Sequence, residues 1–214
     1  MRINTEVVLS LIVHFFEPRL LVSLLNVYII CINTFSSKKD FSMNINPDCA
    51  SKDYNCRDPL AYNQVIHFLE KTFSGHRDEL TGIKNLAQKI REGIEKISPF
   101  IQQATQSVCP RCKDVCCISK HGYYTYEDLM YLTALNLEPP HMIFGRNDTD
   151  PCQYLLEHGC SMERSRRPSG CTWYFCESLL DYMEPQPAYR EFDDSLQDVA
   201  GLWIEMTEEF KKIS

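Results

Sequence analysis

The sequence predicts a mainly α fold, a small helical domain around an irregular, cysteine-rich centre. Three observations predict it. Leu80, Ile83, Ala87, Ile90, Ile94, Ile97 and Ile101 recur at alternating steps of three and four, the spacing of one helix face. A second stripe, Leu196, Val199, Leu202, Trp203, Met206 and Phe210, lies near the C-terminus. Between them, from His141 to Cys176, turn formers and cysteines dominate with little periodicity. No convincing strand, internal repeat or low-complexity tract is visible.

Taken in order, the chain divides into segments 1–42, 43–104, 105–178 and 179–214. The first is unlike the rest: Val7 to Phe16 and Leu20 to Phe35 are strongly apolar, with Glu17-Pro18-Arg19 between them. The second run is 16 residues long and contains Asn26 and Asn33, short of the roughly 20 a membrane span requires. Only Arg2 is basic at the start, and no Ala-x-Ala cleavage pattern follows, so a signal peptide is a poor fit. Two readings remain: upstream sequence preceding a true start at Met43, or a weak anchor. In the anchored case Lys38 and Lys39 after the run put the rest on the cytoplasmic side. Both readings give a reducing compartment.

Asp58-Pro59 has the form of an N-cap with proline at the first helical position. It predicts a helix to about Phe73 with Leu60, Val65, Phe68, Leu69 and Phe73 inward, ended by Ser74-Gly75. The Leu80–Ile101 seam predicts a long helix, kinked near its end by Pro99. Such a seam suits a homodimeric coiled coil or a helix packed on its own domain; helices on either side favour the second. Thr125-Tyr126-Glu127-Asp128 has capping-box character and starts a short helix to about Leu137, closed by Pro139-Pro140. Pro185 and Pro187 mark a boundary, after which Asp193-Asp194-Ser195 starts the final helix.

An apolar content of 44% and a charged content of 24% are those of an ordinary globular domain. A net charge of −7 argues against a nucleic-acid partner, which needs a positive face. Arg164, Arg166 and Arg167 form the one dense basic run, read as a solvated loop.

The informative feature is the cysteines. Of 11 in the chain, eight fall between residues 109 and 176: Cys109, Cys112, Cys116, Cys117, Cys152, Cys160, Cys171 and Cys176. Crowded thiolates bind soft and borderline metals, and the two-residue gap from Cys109 to Cys112 lets one turn grip one ion. The count suits two four-cysteine sites, or one iron–sulfur cluster with thiols to spare. Vicinal Cys116 and Cys117 point in different directions and fit poorly on one tetrahedral ion, so one of them reaches a second metal, bridges two, or serves as a reactive thiol. The segment has few apolar residues to bury and takes its order from its ligands. Eight thiolates around two zinc ions leave a charge of about −4, which Lys113, Lys120, Arg166 and Arg167 are placed to offset. His121, His141 and His158 are substitute ligands, though surface or supporting positions suit them better.

The ordered motifs resemble those of the YkgJ-type zinc- or iron-chelating proteins, which share eight cysteines. The matching residues are Cys109, Cys112, Cys116 and Cys117, then Thr125 to Leu129. Pro151-Cys152-Gln153-Tyr154-Leu155, Gly159-Cys160-Ser161-Met162, Arg167-Pro168-x-x-Cys171 and Cys176 follow. They cover roughly residues 105–178. Three residues rather than two separate Cys112 from the vicinal pair, and Thr172 stands where arginine is usual. The resemblance implies that the eight cysteines bind Zn2+ or iron, the latter including an iron–sulfur cluster. Some relatives join the module to methylation of protein lysines, but this chain has no glycine-rich cofactor loop to carry that over.

The expected function is therefore metal chelation in the cytoplasm, as a structural or carrier module. One alternative is a metal-dependent or redox enzyme using an open site or a free Cys117 thiol. Another is a disulfide-stapled, membrane-anchored interaction domain. No catalytic residue is assigned, and Glu127-Asp128 is explained by its helix start. The expected partners are an unidentified protein, a second copy through residues 80–101, and a membrane only if residues 1–42 belong to the protein.

Overall fold

Asp58 caps the first described helix as its chemistry predicts: its Oδ1 accepts the Ala61 N–H at 2.9 Å. The structure, a computed structural model, describes residues 56–75, 79–112, 115–119, 122–147, 149–157 and 159–213. The expectations for residues 1–42 and Met43, and for Cys31, Cys49, Lys113, Lys120, His121 and His158, fall outside them. Asp48–Ser214 cluster as one compact unit. Among the described residues no helix is long and apolar enough to cross a membrane.

Helix α1, Pro59–Gly75, buries Tyr62, Val65, Leu69 and Phe73. Leu60, expected inward, is 50% exposed; the true stripe passes through Tyr62, whose hydroxyl donates to the Pro140 carbonyl at 3.1 Å. Ser74 and Gly75 belong to the helix rather than breaking it.

Helix α2, Thr81–Val108, is 28 residues long, about 42 Å at the usual rise. Pro99 lies inside it and does not end it. The seam residues Leu80, Ile83, Ala87, Ile90, Ile94, Ile97 and Ile101 are all buried within this chain. Their main partner is the last helix.

Short elements follow: a 3-10 turn at Cys109–Arg111, then α3 at Cys116–Ser119 and α4 at Tyr126–Ala134. The Thr125 hydroxyl accepts the Asp128 N–H while Asp128 Oδ2 accepts the Thr125 N–H, the expected capping box. Helix α4 ends before Pro139-Pro140, because Asn136 adopts φ 54°. With Asn136 left-handed, its N–H donates to the Thr133 carbonyl and that of Leu137 to the Leu132 carbonyl, a Schellman closure.

Leu155–Leu156 (β1) and Gly159–Cys160 (β2) form a two-residue antiparallel hairpin, where no strand was expected. A 3-10 turn at Arg164–Arg166 and helix α5, Gly170–Trp173, lead to α6, Glu177–Met183. Helix α6 crosses the expected boundary at 178/179 and buries Leu179 and Met183. The last helix, α7, spans Tyr189–Ile213 and so begins before Asp193. The Asp193 side chain is used within it instead, accepting from Gln197 Nε2 at 2.8 Å.

Two apolar clusters stabilise the unit. The larger joins α1, the first half of α2, α4 and the second half of α7, with Phe73 stacked on Phe210 at 5.6 Å and Tyr131 near Trp203 at 5.0 Å. The smaller joins Ile97, Ile101 and Ala104 of α2 to Leu179, Met183 and Phe192. Thus α2 and α7 run antiparallel, Phe100 stacking on Phe192 at one end. They pack tightly at Gly93, where an added Cβ would lie 2.3 Å from Val199 Cγ2. Val199 is β-branched and buried to 1%, so it has no free rotamer to yield.

Gly93→Ala is therefore expected to destabilise the fold by about 1–3 kcal/mol despite the better helix propensity of alanine. Adding Val199→Ala should recover part of that loss. Denaturant unfolding of the two single variants and the double variant checks this. Additive losses in the double variant would remove the contact as the cause.

Candidate functional site

The eight cysteines between residues 109 and 176 come from six stretches of backbone, each held by an identifiable bond or element. Cys109 caps the C-terminus of α2, and its carbonyl accepts the Cys112 N–H at 3.1 Å, closing the turn around Pro110. Cys116 and Cys117 begin α3. The Cys117 carbonyl accepts the Cys152 N–H at 2.7 Å, across 35 positions of sequence. Cys160 pairs with Leu155 in the hairpin. The Cys171 N–H donates to the Pro168 carbonyl at 2.8 Å, and Cys176 is the N-cap of α6.

The nine described cysteines carry thiols rather than disulfides. Burial raises the Cys109 thiol pKa, with further increase from the neighbouring Cys176, Cys116 and Cys112. Burial also raises Cys117, followed by Cys152 and Cys160 and then Cys116 and Cys109. Cys171 is pushed up to about 12, by burial first and then by Cys160, Cys152 and Cys117, against the opposing pull of Arg167. Cys171 keeps an exposed face all the same; its sulfur is the enclosed part. Cys109, Cys117 and Cys171 thus each lie within electrostatic reach of three or four other expected ligands. Among the described residues, no three Cys, His, Asp or Glu side chains converge tightly enough to hold an ion as they stand. They are neighbours, not a closed shell.

The surroundings of Cys117, Cys152, Cys160 and Cys171 include groups the sequence reading missed. Tyr154, buried, has its pKa pushed up to about 12, by burial and then by Cys152, Cys160 and Cys171. Its hydroxyl lies 3.1 Å from Met142 Sδ. Burial lowers Arg164 to about 10, with Arg167 adding to the effect and Cys171 and Cys160 opposing it. Arg166 Nη2 donates to the Glu138 carbonyl and Arg167 Nε to that of Met162, both at 2.9 Å. The basic run is therefore a half-buried 3-10 turn beside the thiols, not the solvated loop expected of it. Carbonyl partners offset the cost of burying it. Thr172 is buried to 1%, and its hydroxyl has no partner among the described residues. Arg164 and Arg167 bring to the thiols the positive charge that Thr172 cannot. His141 is exposed.

Asp128 joins this region to the core. Its Oδ2 caps α4 and its Oδ1 accepts the Ser169 N–H at 2.9 Å, fixing the turn that presents Cys171. Gly122 packs on the same turn, where an added Cβ would lie 3.5 Å from Cys171 Sγ. Burial pushes the Asp128 carboxyl up to about 6, against the two N–H donors that favour its charged form. The clue in the sequence was the capping box; the second partner at Ser169 left no local signal.

The chain matches no family model, and neither a curated protein nor a solved structure is found to match it. The resemblance to the YkgJ type rests on the ordered cysteine motifs themselves.

Asp128→Asn keeps one carbonyl oxygen for two N–H donors, so it should cost about 1–3 kcal/mol. The folded carboxyl titrates near 6, above an ordinary value of about 4. Its contribution to stability is complete below pH 4 or so and lost as pH rises through about 6. The slope is at most about 1.4 kcal/mol per pH unit. The difference in unfolding free energy between wild type and Asp128→Asn should accordingly narrow from pH 4 to pH 7. A constant difference would mean that the carboxyl titrates normally.

Proposed function

We propose that this protein binds a thiophilic metal, zinc or iron, the latter including an iron–sulfur cluster, through Cys109, Cys112, Cys116, Cys117, Cys152, Cys160, Cys171 and Cys176. The observation that most supports this reading is that Cys109, Cys117 and Cys171, far apart in sequence, each have three or four of the other cysteines within electrostatic reach. Desolvation and neighbouring thiols raise Cys109, Cys117 and Cys171, a poor arrangement unless something binds them. A donor set of sulfur alone suits zinc or iron–sulfur chemistry and not a hard cation such as magnesium. Metal binding would also add cross-links to a segment held largely by polar bonds.

A structural or carrier role is favoured over catalysis. A thiol whose pKa is raised, as for Cys117, is a weak nucleophile, so nothing in its surroundings activates it for covalent chemistry. The cytoplasm is the proposed compartment, because a reducing medium keeps such thiols available.

The test is metal analysis with an optical spectrum, on the full chain purified without oxygen. Zinc or iron bound in stoichiometric amount is expected, and Cys171→Ser should reduce it. Stripping the metal with a chelator should lower stability by about 4 kcal/mol where the metal had stood near a thousand times its Kd. A reduced chain that neither carries nor takes up zinc or iron overturns the reading. So does a thiol count under denaturing conditions that finds the cysteines paired in disulfides.

A further inference from the structure

We propose that the eight cysteines divide into two separate four-thiolate metal sites, the vicinal pair being split between them. The first site is Cys109, Cys112, Cys116 and Cys176; the second is Cys117, Cys152, Cys160 and Cys171. This rests on the metal-chelating reading above and assigns ligands within it.

Spatial neighbours make the first argument. The cysteines that act on Cys109 are Cys176, Cys116 and Cys112. Those that act on Cys171 are Cys160, Cys152 and Cys117. Cys117 feels Cys152 and Cys160 more strongly than Cys116, its own sequence neighbour, or Cys109. The two quartets share no member.

Packing makes the second argument, and it does not depend on thiol electrostatics. Cys176 packs with Val108 and Phe175 against the smaller apolar cluster, where α6 meets the end of α2. Cys152 and Cys160 pack against the larger cluster, beside Tyr154 and Met162. One member of the first quartet and two of the second are therefore anchored on different parts of the core. The backbone agrees: Cys109 and Cys112 share one turn, whereas Cys117 is bonded to Cys152.

Helix geometry makes the third. Cys116 and Cys117 are consecutive on α3, and consecutive helical side chains point about 100° apart. Neither quartet is closed as it stands, so binding requires the thiols to rotate inward.

The sites also differ in charge. A divalent ion on four thiolates is doubly negative, and the second quartet has Arg164 and Arg167 beside it. That pairing should make the second site the tighter one.

The experiment is Co2+ titration of the reduced full chain, read by the ligand-field bands of tetrahedral cobalt. Two ions per chain are expected. Cys116→Ser and Cys176→Ser should each remove one ion, and Cys152→Ser and Cys171→Ser should each remove the other. Combining one substitution from each quartet should remove both. Arg164→Gln should raise the Kd of one binding step by about tenfold and leave the other unchanged. A measurement free of variants runs beside it: with one equivalent of Cd2+, alkylation mapped by mass spectrometry should find Cys117, Cys152, Cys160 and Cys171 protected together. One ion or cluster per chain, abolished by any single substitution or protecting cysteines of both quartets at once, overturns the division and leaves metal chelation standing. No uptake of Co2+ or Cd2+ by the reduced wild-type chain overturns both.

Discussion

The antiparallel contact between α2 and α7 determines where the rest of the unit can go. Gly93 meets Val199 so closely that a Cβ there would clash. On either side of that point lie a larger cluster towards the start of α2 and a smaller one towards its end. Helices α1 and α4 fill the first; α6 fills the second. The cysteine segment leaves α2 at its C-terminus and returns through α6, so its two ends are tied to the smaller cluster. Its middle lies against the larger one. An irregular segment of some 60 residues is thus clamped at three places on a rigid helical frame.

Polar anchors do what apolar packing does elsewhere. Asp128 ties the α4 N-terminus to the turn before Cys171, and the Cys117 carbonyl holds Cys152. Arg166 and Arg167 each bond a carbonyl of another stretch, and Tyr124 donates to the Arg166 carbonyl at 2.6 Å. Each bond contributes about 1 kcal/mol net. Together they fix the backbone that carries the thiols.

Periodic features were legible in the sequence and contacts through space were not. The seam from Leu80 to Ile101 and the stripe from Val199 to Phe210 were readable because long helices repeat their inward positions many times. Errors gathered where the signal was short. Leu60 was placed inward because one residue near a helix start has no periodicity of its own. Helix α6 has seven residues, too few to show a stripe. Asp193 looked like a cap and is instead bonded to Gln197, since Pro187 and the turn before Tyr189 had already set the helix start. Asn136 could have marked the end of α4, being one of the few residues that tolerates the left-handed region. The arginine run was misread for a different reason: charge in a sequence says nothing of which carbonyls will receive it.

The cysteines follow the same division. Their number and crowding carry the chemistry, because eight thiols in so short a segment have few other uses. Their grouping depends on α6 folding back along α2, on the hairpin, and on the Asp128 to Ser169 bond, none of which leaves a trace in spacing. Vicinal Cys116 and Cys117 illustrate the limit. Adjacent in sequence, they leave α3 in directions about 100° apart. Electrostatics gives that separation a further consequence. Eight thiolates around a single centre would concentrate their charge where two arginines are available to offset it. Divided between two centres, the charge near Arg164 and Arg167 falls to what those two side chains can balance.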